Sequence, residues 1–231
     1  GSLVNYQSSY RDTVDLIWFP TGGGKTEAYL GLIGFTIFYR RLLNPESKGV
    51  ISVMRYTLRL LTAQQFQRAS SLIVACDFIR NENQNELGTI PISIGMWVGP
   101  MTPNTRKDAK KNVSELIEQH GKAENRMIMT KCPWCSCSMG VVSMLNSDNN
   151  IEKQVFGYVV DQKSVRFVCE NSKCHYSSLK RPIPVYVVDE DIYEIKPSLL
   201  VGTVDKFARL AWDNSNQDSI NLFRYIKKDH Q

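Results

Sequence analysis

Asp15-Leu16-Ile17-Trp18-Phe19-Pro20-Thr21-Gly22-Gly23-Gly24-Lys25-Thr26-Glu27-Ala28-Tyr29-Leu30-Gly31-Leu32 decides how this chain is read. Asp15 to Phe19 have the composition of a short buried strand. From Glu27 the sequence turns helical and is apolar on nearly every face, through Ile33, Phe35, Ile37 and Phe38. Between them stand three consecutive glycines, whose backbone reaches angles closed to other residues and lets main-chain N–H groups approach phosphate oxygens. A helix start adds unpaired N–H donors and positive dipole character. Lys25 supplies a mobile positive charge for the β and γ phosphates, and Thr26 a hydroxyl for Mg²⁺. The general phosphate-loop pattern wants glycine where Phe19 stands, so that pattern is met only in its second half. Strand, three glycines, Lys-Thr and helix in that order nevertheless predict a site for ATP and Mg²⁺ built from Thr21, Gly22, Gly23, Gly24, Lys25, Thr26 and Glu27.

The rest of the chain extends that start into an α/β fold. Gly49 to Met54 reads as a second buried strand, and a long helix is expected from about Thr57 to Arg80. Ile92 to Gly99 reads as a third strand running into a glycine turn. Strand, loop, helix, strand, helix is the opening of a parallel sheet with crossover helices, whose ligands gather at the carboxyl ends of the strands. Residues 104–131 follow as a basic-leaning helix and linker. The tail, Ile220 to Lys228, reads as one more helix.

With 231 residues, 42% of them hydrophobic, and scattered charge, the chain has the make-up of a water-soluble globular protein. No run approaches the ~18 apolar residues of a membrane span, so no membrane partner is expected. A net charge of +5 suits a nucleic-acid partner without requiring one. Six cysteines, four of them in close pairs, point to a reducing cytoplasm and a metal rather than to disulfides.

Those pairs are Cys132-Pro133-Trp134-Cys135 and Cys169-Glu170-Asn171-Ser172-Lys173-Cys174. Between them Val155–Val160 and Ser164–Val168 read as a hairpin turning at Asp161-Gln162-Lys163. Two thiolate pairs on turns can close a tetrahedral Zn²⁺ site, so Cys132, Cys135, Cys169 and Cys174 are the expected ligands, with Cys137 and His175 as neighbours able to substitute. Four thiolates leave no open position, so the zinc would be structural and would staple an insert with little core of its own. The expected domains are therefore 1–131 as the first part of an α/β lobe, 132–180 as a zinc-ribbon-like insert, and 181–231 as the lobe's continuation.

The form Pro20-Thr21-Gly22-Gly23-Gly24-Lys25-Thr26 resembles motif I of the superfamily 2 helicases, and Met54 to Thr62 resembles their motif Ia. Gly99 holds the place of a glycine loop that touches the same strand of nucleic acid in that superfamily. Val201-Gly202-Thr203-Val204-Asp205-Lys206-Phe207 resembles motif Ib. In combination these stretches resemble the helicase subunits of the bacterial phage-defence system DISARM, over roughly residues 15–212. The resemblance implies the first RecA-like P-loop lobe of an ATP-driven motor on DNA, in the bacterial cytoplasm, with a protein partner in a defence complex. It assigns catalysis to Lys25 and Thr26, and backbone contacts with a DNA single strand or duplex end to Arg55, Thr57, Arg59, Gly99, Thr203, Asp205 and Lys206. Such contacts carry no sequence preference.

Pro184 to Val188 reads as a strand followed by Asp189-Glu190, which looks like the acidic pair of motif II. In the superfamily, however, motif Ib precedes motif II. That order places the acidic motif beyond Gln231 and makes the chain a fragment that does not hydrolyse ATP alone. A rival reading makes the insert the functional part: a zinc-stapled module for DNA or protein on an inert lobe, with Trp134, Tyr158, Arg166 and Tyr176 as its surface.

Overall fold

The computed structural model describes residues 24–56, 59–145 and 149–212, together with Leu222; of 59–63 and 209–212 it describes the helical backbone alone. In chain order the elements are α1 (Lys25–Leu43), β1 (Ser52–Tyr56), α2 (Arg59–Glu82), α3 (Gln84–Leu87), β2 (Ile94–Trp97) and α4 (Arg106–Glu118). Then come β3 (Gly140–Leu145), β4 (Ile151–Phe156), β5 (Tyr158–Val160), β6 (Val165–Phe167), β7 (Val185–Tyr186), α5 (Asp189–Ile195), β8 (Leu199–Thr203) and α6 (Val204–Trp212). The expected strand over Asp15–Phe19 and the expected tail helix lie outside the described residues, Leu222 apart.

Four strands form a parallel sheet in the order β1-β8-β2-β7. Its two inner strands are largely apolar runs, as parallel strands covered on both faces must be, whereas the edge strand β1 exposes Val53 and Arg55. β2 and β8 are buried at every position. α1 buries Ile33, Ile37 and Arg41, a stripe at intervals of four residues. α2 buries Phe66, Ala69, Ile73 and Val74.

The second strand begins later than its sequence suggests. Gly49 has φ +93°, and the N–H groups of both Ile51 and Ser52 donate to the Ser198 carbonyl before the ladder starts. The strand then continues through Arg55 and Tyr56, which pair in register with Gly202 and Thr203. The expected hairpin between the cysteine pairs is present as antiparallel β5 and β6. The strand expected over Val155–Val160 is split at Gly157 (φ +75°), so that Val155 and Phe156 pair with β3 instead.

The cysteine-bearing segment shares its core with the sheet. Met127, Met129, Met139, Tyr158, Phe167, Tyr176 and Ile183 belong to one buried cluster with Ile37, Ile73, Ile94 and Val201. The expected small separate core is thus continuous with that of the lobe. Tyr176 is the clearest join: it is fully buried, and its hydroxyl donates to the Val74 carbonyl in α2 at 2.9 Å.

Candidate functional site

Parallel strands of similar length end together, and the pairing brings their carboxyl ends abreast. Tyr56 of β1 lies beside Thr203 of β8, and Gly202 beside Trp97 of β2. Gly99 follows at φ +73°, a conformation that favours glycine, and a Cβ there would meet only the Cε of Lys206, at 3.8 Å. Arg55, Gly99, Thr203 and Lys206 therefore share one rim. Thr57 lies outside the described residues, as does the side chain of Arg59.

α1 runs back along β1, and Lys25 and Thr26 at its start line a groove of about 590 Å³ between the two elements. Tyr29, Leu32, Val53, Arg55 and Tyr56 line it further along. Gly24 precedes the helix at φ +76° with no side-chain cap, so the N–H groups of the first turn have no capping side chain. Lys25 is exposed, Thr26 is half-buried, and Glu27 forms an ion pair with Arg68 of α2. Thr21, Gly22 and Gly23 lie outside the described residues.

Lys206 is held rather than free. Its ammonium donates to Asp189 at 2.5 Å and lies 5.2 Å from the centre of the Trp97 ring. Asp189 is 4% exposed; burial raises its pKa, and Lys206 acts against that shift. Thr203 is buried, and Asp205 stands exposed in the first turn of α6, where a carboxylate favours the helix start. The backbone N–H of Arg106 donates to Glu190 at 2.8 Å. Asp189 and Glu190 follow β7, the sheet edge opposite β1; three strand spacings put them about 14 Å from β1.

At the other end of α2 four thiols converge. Cys132 and Cys174 have Sγ atoms 3.8 Å apart, Cys135 and Cys169 3.5 Å apart, and all four lie within 4.8 Å of one another. A tetrahedron with Zn–S of about 2.3 Å has edges of about 3.8 Å, so this donor set fits zinc. Burial pushes Cys132 up to about 11 and raises Cys169 as well. Cys135 falls to about 7: burial opposes this, but the Cys137 backbone N–H and the facing thiols outweigh it. Cys137 lies outside the four-thiol group. The His175 ring lies against Phe78 and Tyr176, and its Nε2 is 2.6 Å from Arg181.

Sequence reasoning missed a polar clamp that joins α4, α5 and the β5–β6 turn. Arg106 bonds Asp191 at 2.7 Å and also Glu194, which holds Lys163 from the β5–β6 turn. The one local signal is the capping box Thr105–Asp108, which marks where α4 starts and so where Arg106 points from.

No family model matches the chain. Over 223 residues, 91% of its length, it is 40% identical to the DISARM protein DrmA of Bacillus paralicheniformis (strain ATCC 9945a / NCIMB 11709 / CD-2). The chain spans 19% of the length of that relative. No helix among the described residues is long and apolar enough to cross a membrane.

Proposed function

We propose that this chain is the first, nucleotide-binding lobe of a superfamily 2 DNA helicase or translocase that serves anti-phage defence as part of a longer protein of the DrmA kind. One observation carries the reading: the ends of β1, β8 and β2, in register, gather Arg55, Thr203 and Gly99 on one rim, with the start of α1 at the end of the same sheet. Thr21 through Glu27 would hold ATP, with Lys25 on the phosphates and Thr26 on Mg²⁺. Arg55, Gly99 and Thr203 would follow a DNA backbone, and a protein partner would complete the complex in the bacterial cytoplasm. The similarity to a DISARM protein supports the defence setting.

Cys132, Cys135, Cys169 and Cys174 would hold a structural zinc, which supplies cross-linking and no chemistry of its own. Asp189 and Glu190, which follow the edge strand β7, are engaged by Lys206 and Arg106. In this reading the acidic partner of Lys25 and Thr26 comes from further along the longer protein. The zinc-module alternative is the weaker one, because two of its four surface residues, Tyr158 and Tyr176, are core.

The test is direct. A fluorescent ATP analogue binds the purified chain with Mg²⁺, and Lys25→Ala weakens it by an order of magnitude or more, as loss of a charge-assisted phosphate contact requires. Equal binding by both proteins would remove the phosphate-loop assignment.

A further inference from the structure

The amino ends of the strands carry a second concavity, on the rim opposite Lys25 and Thr26. It has a volume of about 320 Å³. Ser93 and Ser198, which immediately precede β2 and β8, line it together with Arg41 from the last turn of α1. Arg41 lies 16 residues along α1 from Lys25, about 24 Å at the helical rise, so the two cavities are distinct.

The charge around this cavity does not balance. Arg41 and Lys48 line it with one carboxylate, Glu194, and that carboxylate is already held by Arg106 and Lys163. Arg41 is only 1% exposed. Its terminal N–H groups donate to the carbonyls of Pro45, Leu87 and Pro91, while its Nε–H has no acceptor. Among the described residues no carboxylate bonds it. Behind it, the buried Asp77 is taken by Arg80 at 2.7 Å, so two buried arginines share one buried carboxylate. Burial and the neighbouring Arg80 disfavour the Arg41 charge more than Glu46 and Asp77 favour it, and an anion in the adjoining space lowers that cost. Ser93 and Ser198 offer two hydroxyl donors that make no hydrogen bond among the described residues.

We propose that this cavity is a second anion site, which takes the phosphate group of a small phosphate monoester, with Ile90, Tyr186 and Ile195 of the same lining against its organic part. Lys48 at its mouth supplies the exposed charge, the two serine hydroxyls supply hydrogen bonds, and Arg41 supplies the buried field. The site is independent of the nucleotide reading, because it uses none of the residues around Lys25.

The experiment uses Lys25→Ala as background, so that binding at the phosphate loop does not contribute. Inorganic phosphate and, separately, phenyl phosphate are titrated at constant ionic strength, and amide resonances are followed by NMR. Saturable shifts are expected at Gly49, Ser93 and Ser198, with phenyl phosphate binding the tighter of the two. Adding Lys48→Glu weakens both ligands by about tenfold or more, as expected for one charge-assisted contact, and leaves the thermal midpoint unchanged. Lys48→Arg retains binding. Saturation by inorganic phosphate alone would overturn the monoester assignment. No saturable shift with either ligand, or saturation indifferent to Lys48→Glu, would overturn the site.

Discussion

Arg55 and Lys206 carry the same charge on the same rim, yet their surroundings give them different work. Arg55, one residue before the end of β1, is exposed, with its side chain open to a passing phosphate. Lys206 is tied to Asp189, and its side chain is 15% exposed. We therefore expect Arg55→Gln to weaken single-stranded DNA binding and to lower the salt slope by about 1, the signature of one lost phosphate contact. Lys206→Gln should act mainly on stability, by about 2 kcal/mol, because it leaves a buried carboxylate without its cation. Equilibrium DNA titrations at several salt concentrations, with thermal melts of both variants, separate the two effects. A large DNA defect with unchanged stability in Lys206→Gln would mean that the Asp189 contact opens when DNA arrives. Sequence placed both residues at the nucleic-acid site with equal weight. Only the fold reveals that a residue seventeen positions away takes one of them.

Among the elements, α2 links the two candidate sites. Phe78 packs on Trp134 and on His175 with ring centres 4.8 Å apart in each case, and Gln67 donates to the Lys131 carbonyl. Zinc at the four cysteines would therefore brace the helix that follows the nucleic-acid rim. Metal analysis should find one zinc per chain. Cys169→Ser should abolish it and lower the thermal midpoint of the whole lobe, rather than melt a separate small unit. Tyr176→Phe should keep the zinc and cost about 1 kcal/mol for the lost hydrogen bond to Val74. Two separate thermal transitions in the wild-type chain would contradict this coupling.

The clamp between α4, α5 and the β5–β6 turn has its own pH signature. Hydrogen bonds from Lys163 and Arg106 hold Glu194 below its ordinary value of 4.5. A depressed carboxylate pKa contributes stability above the unfolded value, and that stability is lost as pH falls through the folded one. The wild type should thus melt higher than Glu194→Gln at pH 7, and the gap should close as pH drops below 4.5. A gap independent of pH would mean that the ion pairs contribute nothing.

At the scale of the whole molecule, the parallel sheet and the cysteine group were legible because each rests on a pattern of its own. Apolar runs spaced by helices give the first, and paired cysteines on turns give the second. The β3–β4 hairpin was not legible. Leu145 and Ile151 are 68% and 76% exposed, and the strands alternate without a buried face, so no hydrophobic period marks them. The shared core was hidden for another reason: Tyr176 meets Val74 across 102 residues, and no local pattern encodes such a contact. The cysteine-bearing segment shares its core with the sheet, so loss of a zinc at the four cysteines would be felt throughout the lobe.

The central claim is that this lobe belongs to a DNA-dependent ATP motor. The measurement that reaches it most directly is ATP turnover with and without single-stranded DNA, in the longer DrmA-like protein that carries this lobe and in its Lys25→Ala variant. We expect turnover that DNA accelerates, abolished by Lys25→Ala, with none from the 231-residue chain alone. Turnover by this chain on its own would return Asp189 and Glu190 to the acidic role and contradict the motif order that places the acidic pair further along the longer protein. Turnover in the longer protein that survives Lys25→Ala would contradict the motor reading itself.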